Sequence, residues 1–278
     1  MPSRFLAPAQ LLLVSLLWSL GGVLIKSMEW HPMAIAGGRS AIAIPAILAC
    51  VGWPRFSFSR VQIGGALAYA GTVVFFVLAT RLGTAANAIF LQYTAPIYVA
   101  ALGPWLLGER ALRSDWVIIG IALAGIALFF ADGLSPSGLL GNLCGLASGL
   151  SFAAMVLLLR KQREESPVSA ILLGNGIAAL AGLPFMFGAP HPSARGWIAL
   201  VLLGAVQLGL SYVLYCVAIK RVKALEAVLI PLLEPVLNPL WVMLLVGERP
   251  APWALAGAAL VIGAVLLRGT LMVVARRG

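Results

Sequence analysis

Residues 87–110 read NAIFLQYTAPIYVAALGPWLLGER, and residues 226–249 read EAVLIPLLEPVLNPLWVMLLVGER. One offset of 139 positions lays Ala88 on Ala227, Pro96 on Pro235, Leu106 on Leu245, and Gly108-Glu109-Arg110 on Gly247-Glu248-Arg249. Each copy is a long apolar run with a proline near its middle and a charged pair at its end. A repeat of this length sets the architecture before any single motif does. It predicts a chain folded from two related halves.

Composition says where such a chain resides. Of 278 residues, 62% are hydrophobic and only 10% charged, with a mean hydropathy of +1.02. A water-soluble domain of this size carries about 25% charged residues. The net charge of +10 does not form a basic face, because the Lys and Arg residues sit in short gaps between apolar runs. That is a topology signal, and no nucleic-acid partner is expected. Cys50, Cys144 and Cys216 lie far apart within apolar runs, and His31 and His191 adjoin prolines in gaps. No metal or cofactor is expected from this spacing. The first apolar stretch continues to about Ile25 without a convincing cleavage site, so it reads as a membrane span rather than a leader.

About 20 apolar residues carry a helix across the hydrocarbon core. Apolar runs delimit ten spans, at 6–26, 33–53, 61–80, 84–107, 114–131, 138–160, 167–187, 195–219, 223–246 and 251–272. With the N-terminus placed inside, fourteen cations fall in inner segments, and only Lys26, Arg81, Arg195 and Arg249 fall outside. The positive-inside rule therefore puts both termini in the cytoplasm. Five spans per half is an odd number, so the halves, 1–133 and 134–278, enter the membrane in opposite senses. Trp18 then corresponds to Phe152, and Lys26 to Arg160. The expected fold is an all-α integral membrane protein of ten transmembrane helices in two inverted five-helix repeats. Such folds place a substrate site between the halves, near the midplane.

Span nine is the most unusual. Pro231, Pro235 and Pro239 recur every fourth residue. Each lacks an N–H and crowds the carbonyl four residues earlier, so the carbonyls of Ala227, Pro231 and Pro235 lose their helical partners. At membrane depth this is tolerated only against protein or a wet cavity. Span four carries Pro96 and Pro104. The prolines serve as a hinge, as a kink that shapes packing, or as a way of freeing carbonyls for a ligand. Glu234 sits beside the break, and Asn238 and Trp241 project within roughly 60° of it on a helix. A mid-span acid costs about 2.5–3.5 kcal/mol to insert and marks a functional-site candidate. It can pair with a substrate ammonium, carry a proton, or tie helices together. Glu226, nearer the cytoplasmic end, is expected to pair with Arg221 or Lys223. Arg39 in span two can meet a carboxylate, hold carbonyls or snorkel; its neighbours Gly37-Gly38 favour the structural reading.

Polar and aromatic faces complete the candidate substrate-binding set. Asn87, Phe90, Thr94 and Tyr98 share one side of span four. Gln207, Ser211 and Tyr215 form a ladder on span eight, and Trp18 lies with Ser15 and Ser19 on span one. Gly141, Gly145 and Gly149 repeat the GxxxG spacing on span six and predict close helix packing rather than a ligand site. No HExxH, GxSxG or paired-carboxylate motif appears, so an enzyme is not expected.

The paired GER ends, the proline before each copy, the segment LLWSLGGVLIK at 16–26 and Arg39 together resemble the EamA-type members of the drug/metabolite transporter superfamily. Within it the chain is most similar to YddG-type bacterial amino-acid exporters. The resemblance implies an inner-membrane exporter of amino acids, aromatic and other neutral ones included, with a central cavity opened alternately to each side. Its partners would be a small-molecule substrate and the lipid bilayer, with a monomer as a plausible state. A multidrug or organic-cation exporter of the same fold is the alternative. A polyanionic substrate would call for several midplane cations, and only Arg39 is available.

Overall fold

The computed structural model describes residues 3–132, 138–187, 192–237 and 252–275. Regular structure among them is helical, and eight helical segments are long and apolar enough to cross a membrane. Span five (Arg113–Phe129) is a 17-residue helix, and span nine starts at Ala224 and is described to residue 237. With these two the ten-helix fold is complete. Helix starts are marked by side chains that accept otherwise orphaned N–H groups: His31 before span two, Ser59 before span three, Thr84 before span four and Ser193 before span eight. Many large apolar side chains point outward, including Leu67, Trp105, Leu139, Leu180 and Leu266. In a bilayer this is the lipid-facing surface.

Four spans are irregular, and the irregularities share a physical origin in missing or diverted backbone hydrogen bonds. Span one breaks between Ser3–Trp18 and Gly21–Lys26. Span four breaks between Ala85–Gln92 and Ala95–Leu107, where Pro96 offers no N–H to the Gln92 carbonyl. Span eight contains a π-helical stretch, Leu202–Leu210, between Ala194–Val201 and Ser211–Ile219. Span nine passes from Ala224–Leu229 into a 3₁₀ turn at Ile230–Leu233.

Packing is symmetric under exchange of the halves. Span three packs on six, and the equivalent span eight packs on one; four packs on six, and nine on one. Three packs on seven as eight packs on two, while two with seven and five with ten are self-equivalent. Every one of these contacts joins one half to the other. The halves are therefore interleaved and share one core.

The glycine ladder of span six clamps the broken span four. A Cβ on Gly141 would meet the Leu82–Gly83 backbone at 2.7–2.9 Å, and one on Gly145 would meet the Leu91 side chain at 3.0 Å. On Gly149 it would lie 2.6 Å from the Leu91 carbonyl and 3.0 Å from that of Gln92. Backbone atoms cannot swing aside, so Gly149→Ala should destabilise by about 3 kcal/mol, the upper part of the overpacking range. Gly120→Ala, which meets nothing within 4 Å, is the control. Thermal unfolding in detergent should show a lowered Tm for the first and none for the second.

Candidate functional site

The breaks in spans one, four, eight and nine converge on one cavity. Its wall includes Trp18, Arg39, Thr72, Val73, Phe76, Gln92, Tyr93, Phe152, Gln207, Leu208, Tyr212 and Glu234. Trp18 and Phe152, equivalent by the repeat, meet edge to face with ring centroids 5.8 Å apart. The cavity therefore sits on the axis that relates the halves. Trp18 also lies 5.1 Å from Tyr212, which in turn meets Tyr69 at 4.8 Å. The wall combines aromatic rings with polar and charged side chains.

The proline series in span nine explains the tyrosines around it. Pro231 deprives the Ala227 carbonyl of its helical donor, and Tyr215 Oη donates to that carbonyl at 3.1 Å. Pro235 does the same to the Pro231 carbonyl, and Tyr93 Oη lies 3.1 Å from it. Two tyrosine hydroxyls from different halves thus replace two absent backbone N–H groups. Tyr93 is fully buried at the break of span four and also bonds Glu234 Oε2. Its single proton cannot serve both acceptors. Both contacts are satisfied when Glu234 carries a proton and donates it to Tyr93, which then donates to Pro231. Facing this pair are Tyr212 from span eight, Arg39 from span two and the neutral Trp18 from span one.

On span eight, the widened turn sets Gln207 in the wall and lets Ser211 Oγ donate to the Gln207 carbonyl. The same hydroxyl accepts the Trp18 indole N–H at 2.8 Å, which fixes the ring. Gln92 Nε2 donates to Ser148 Oγ at 2.8 Å, and Ser148 donates to the Thr72 carbonyl at 3.0 Å.

Of the residues singled out in the sequence, Trp18, Gln207 and Glu234 line the cavity, and Ser211 orients Trp18. Tyr215 is a backbone-repair residue. Asn87 donates to Asn142 Oδ1 at 2.6 Å, tying span four to span six near the end opposite the arginines. Thr94 Oγ1 donates to the Leu91 carbonyl at 2.6 Å inside the break. Phe90 and Tyr98 are half-buried and pack on the core. These five lie outside the cavity wall. Asn238, Trp241 and Pro239 lie outside the described residues. Pro96 and Pro235 flank the site as the prolines that free the Gln92 and Pro231 carbonyls.

Sequence reasoning singled out Arg39 but not Thr72, Val73, Phe76, Gln92, Tyr93, Leu208 or Tyr212 of this wall. Tyr93 gave no signal, because nothing in span four says that its ring crosses to the prolines of span nine. Arg39, for which a carboxylate, backbone carbonyls and snorkelling are all open in the sequence, is 1% exposed in the cavity wall and holds the Val73 carbonyl at 2.7 Å.

A second charged cluster closes one end of the bundle. Glu109 of the first GER copy accepts from Arg160 Nε at 2.8 Å and from the Ala224 N–H at 2.8 Å. Arg160 Nη1 also donates to the Ile219 and Lys220 carbonyls, each at 3.0 Å. Arg268 lies 2.9 Å from Asp115 and 3.8 Å from Glu226. Glu226 therefore pairs with span ten rather than with Arg221 or Lys223, and it caps its own helix through the Lys223 N–H.

Comparison with known proteins agrees with this architecture. The EamA-like transporter family matches the chain twice, over residues 6–131 and 139–270. An "Uncharacterized transporter" of Archaeoglobus fulgidus is 31% identical over 229 residues, covering 81% of this chain and 80% of its own. A Salmonella typhimurium protein named "Probable amino-acid metabolite efflux pump" is 26% identical over 277 residues, 92% of each chain. A solved crystal structure at 22% identity superposes with a TM-score of 0.81, covering 97% of this chain and 99% of that one, and shows the fold. The chain belongs to the EamA-like transporter family: it is a multi-pass membrane transporter and not an enzyme.

Proposed function

We propose that this protein exports amino acids, aromatic and other neutral ones, across a bacterial inner membrane by alternating access. The observation that carries the reading is the cavity on the axis between the halves, where aromatic rings share the wall with one cation and one carboxyl group. That lining suits a zwitterion with an apolar side chain. The name of the Salmonella relative supports the same substrate class. Both termini lie in the cytoplasm on this reading, so the cluster around Arg160 and Arg268 closes the inner side. Glu234 holds a proton in this state and releases it in the opposite one.

The organic-cation alternative is disfavoured by Arg39, whose guanidinium would repel such a substrate from the same cavity. Proteoliposomes loaded with labelled phenylalanine, leucine and alanine should show protein-dependent efflux, inhibited by unlabelled amino acids and not by tetraphenylphosphonium. Equal retention with and without the protein across the panel refutes the proposal. Competition by the lipophilic cation alone would favour the alternative.

A further inference from the structure

Among the described residues three arginines are buried, and two of them are neutralised. Arg160 meets Glu109, and Arg268 meets Asp115 and Glu226. Arg39 has no carboxylate within ion-pair distance among the described residues. Its Nη2 donates to the Val73 carbonyl at 2.7 Å, while Nη1 reaches Gln207 Oε1 only at 3.4 Å. The third nitrogen, Nε, is buried without any partner. A guanidinium has five N–H donors in a planar fork, so most of its hydrogen-bonding capacity is unused.

The surrounding packing holds it there. A Cβ on Gly37 would meet the Gly182 backbone at 2.7 Å, and one on Gly204 would meet the Arg39 carbonyl at 2.7 Å. Spans seven and eight therefore press against span two, and the side chain cannot snorkel to the membrane surface. It ends in the wall of the central cavity, beside Gln207 and Trp18. Glu234, the acid in the same wall, is occupied by Tyr93. A buried cation left without a counter-ion is costly unless something supplies the charge.

We infer that Arg39 is the binding site for the substrate's carboxylate. The ligand brings the anion that the protein withholds, and the guanidinium N–H groups donate to its two oxygens in the geometry that favours arginine over lysine. The inference rests on the amino-acid reading of the cavity and adds a specificity to it. A carboxylate is required, and an amine or amide of the same side chain is rejected.

The wild-type protein tests this without any variant. Counterflow of labelled phenylalanine should be inhibited by unlabelled phenylalanine roughly 10- to 100-fold more effectively than by phenylalaninamide, as expected for a charge-assisted hydrogen bond. Arg39→Gln should abolish that discrimination, and Arg39→Lys, which keeps the charge but not the fork, should retain part of it. Thermal unfolding gives a readout independent of transport: phenylalanine should raise the Tm of wild type and phenylalaninamide should not. Absence of counterflow with a phenylalanine-specific Tm shift removes the export reading and leaves Arg39 as a carboxylate site. Equal effects of acid and amide, no shift with either, or acid preference surviving in Arg39→Gln each overturn the inference.

Discussion

Glu234→Gln should leave the protein folded and able to exchange substrate, while transport no longer responds to a pH gradient. The amide is close in shape to a protonated acid. Its NH₂ can donate to Tyr93 Oη, which continues to donate to the Pro231 carbonyl at 3.1 Å. The variant is thus locked in the hydrogen-bonded arrangement that Glu234 reaches only with a proton on it. Purified wild type and variant should melt within about 1 kcal/mol of each other in stability, since one neutral hydrogen bond replaces another. In liposomes, an imposed gradient should stimulate wild-type flux and leave the variant at its no-gradient level. Tyr93→Phe separates the proton from the scaffold. It removes the hydroxyl that accepts from the protonated Glu234 and donates to the Pro231 carbonyl, which costs about 1–3 kcal/mol for each group left unpaired. Its Tm should fall where that of Glu234→Gln does not. A Glu234→Gln protein that keeps its gradient response ends the proton assignment.

The parts of this molecule that could be read in one dimension are those set by periodicity and charge. Span length follows from the apolar runs, and the opposite senses of the two halves follow from where Lys and Arg sit between them. The prediction that the Ala227 and Pro231 carbonyls would lack helical donors needed only the proline spacing. Which groups would repair them could not be read, because Tyr93 and Tyr215 reach those carbonyls across 138 and 12 residues of chain. The same limit explains the misplaced candidates. Asn87, Thr94 and Tyr98 share a face on an uninterrupted helix, but the break at residues 93–94 rotates the two segments of span four relative to each other. Helical-wheel reasoning fails at that point. Arg39 is open to several readings in the sequence for a related reason: Gly37-Gly38 announces close packing, and only the packed structure shows which way the side chain then turns.

The second large effect lies at the arginine-rich end. Glu109 there holds Arg160 with one oxygen and the first N–H of span nine with the other, so one carboxylate joins spans four, six and nine. Arg160 extends the tie to the last carbonyls of span eight. Its side chain is 9% exposed and that of Glu109 17%. Removing one partner leaves the other charge nearly buried, at a cost of about 3 kcal/mol, toward the low end for buried pairs because water still reaches Glu109. An alternating-access protein can relieve that cost by opening this end, so Glu109→Gln should shift the population toward the state open here by roughly 100-fold or more. Cys216, buried on span eight one turn before Lys220, provides a native reporter. With Cys50 and Cys144 replaced by serine, a membrane-impermeant maleimide should label Cys216 slowly in the parent and much faster in Glu109→Gln. Arg160→Met should behave alike. The double variant should label little faster than either single one, because the second change removes the orphaned charge created by the first. Unchanged labelling in both single variants would show that the tie braces the bundle without acting as its inner closure.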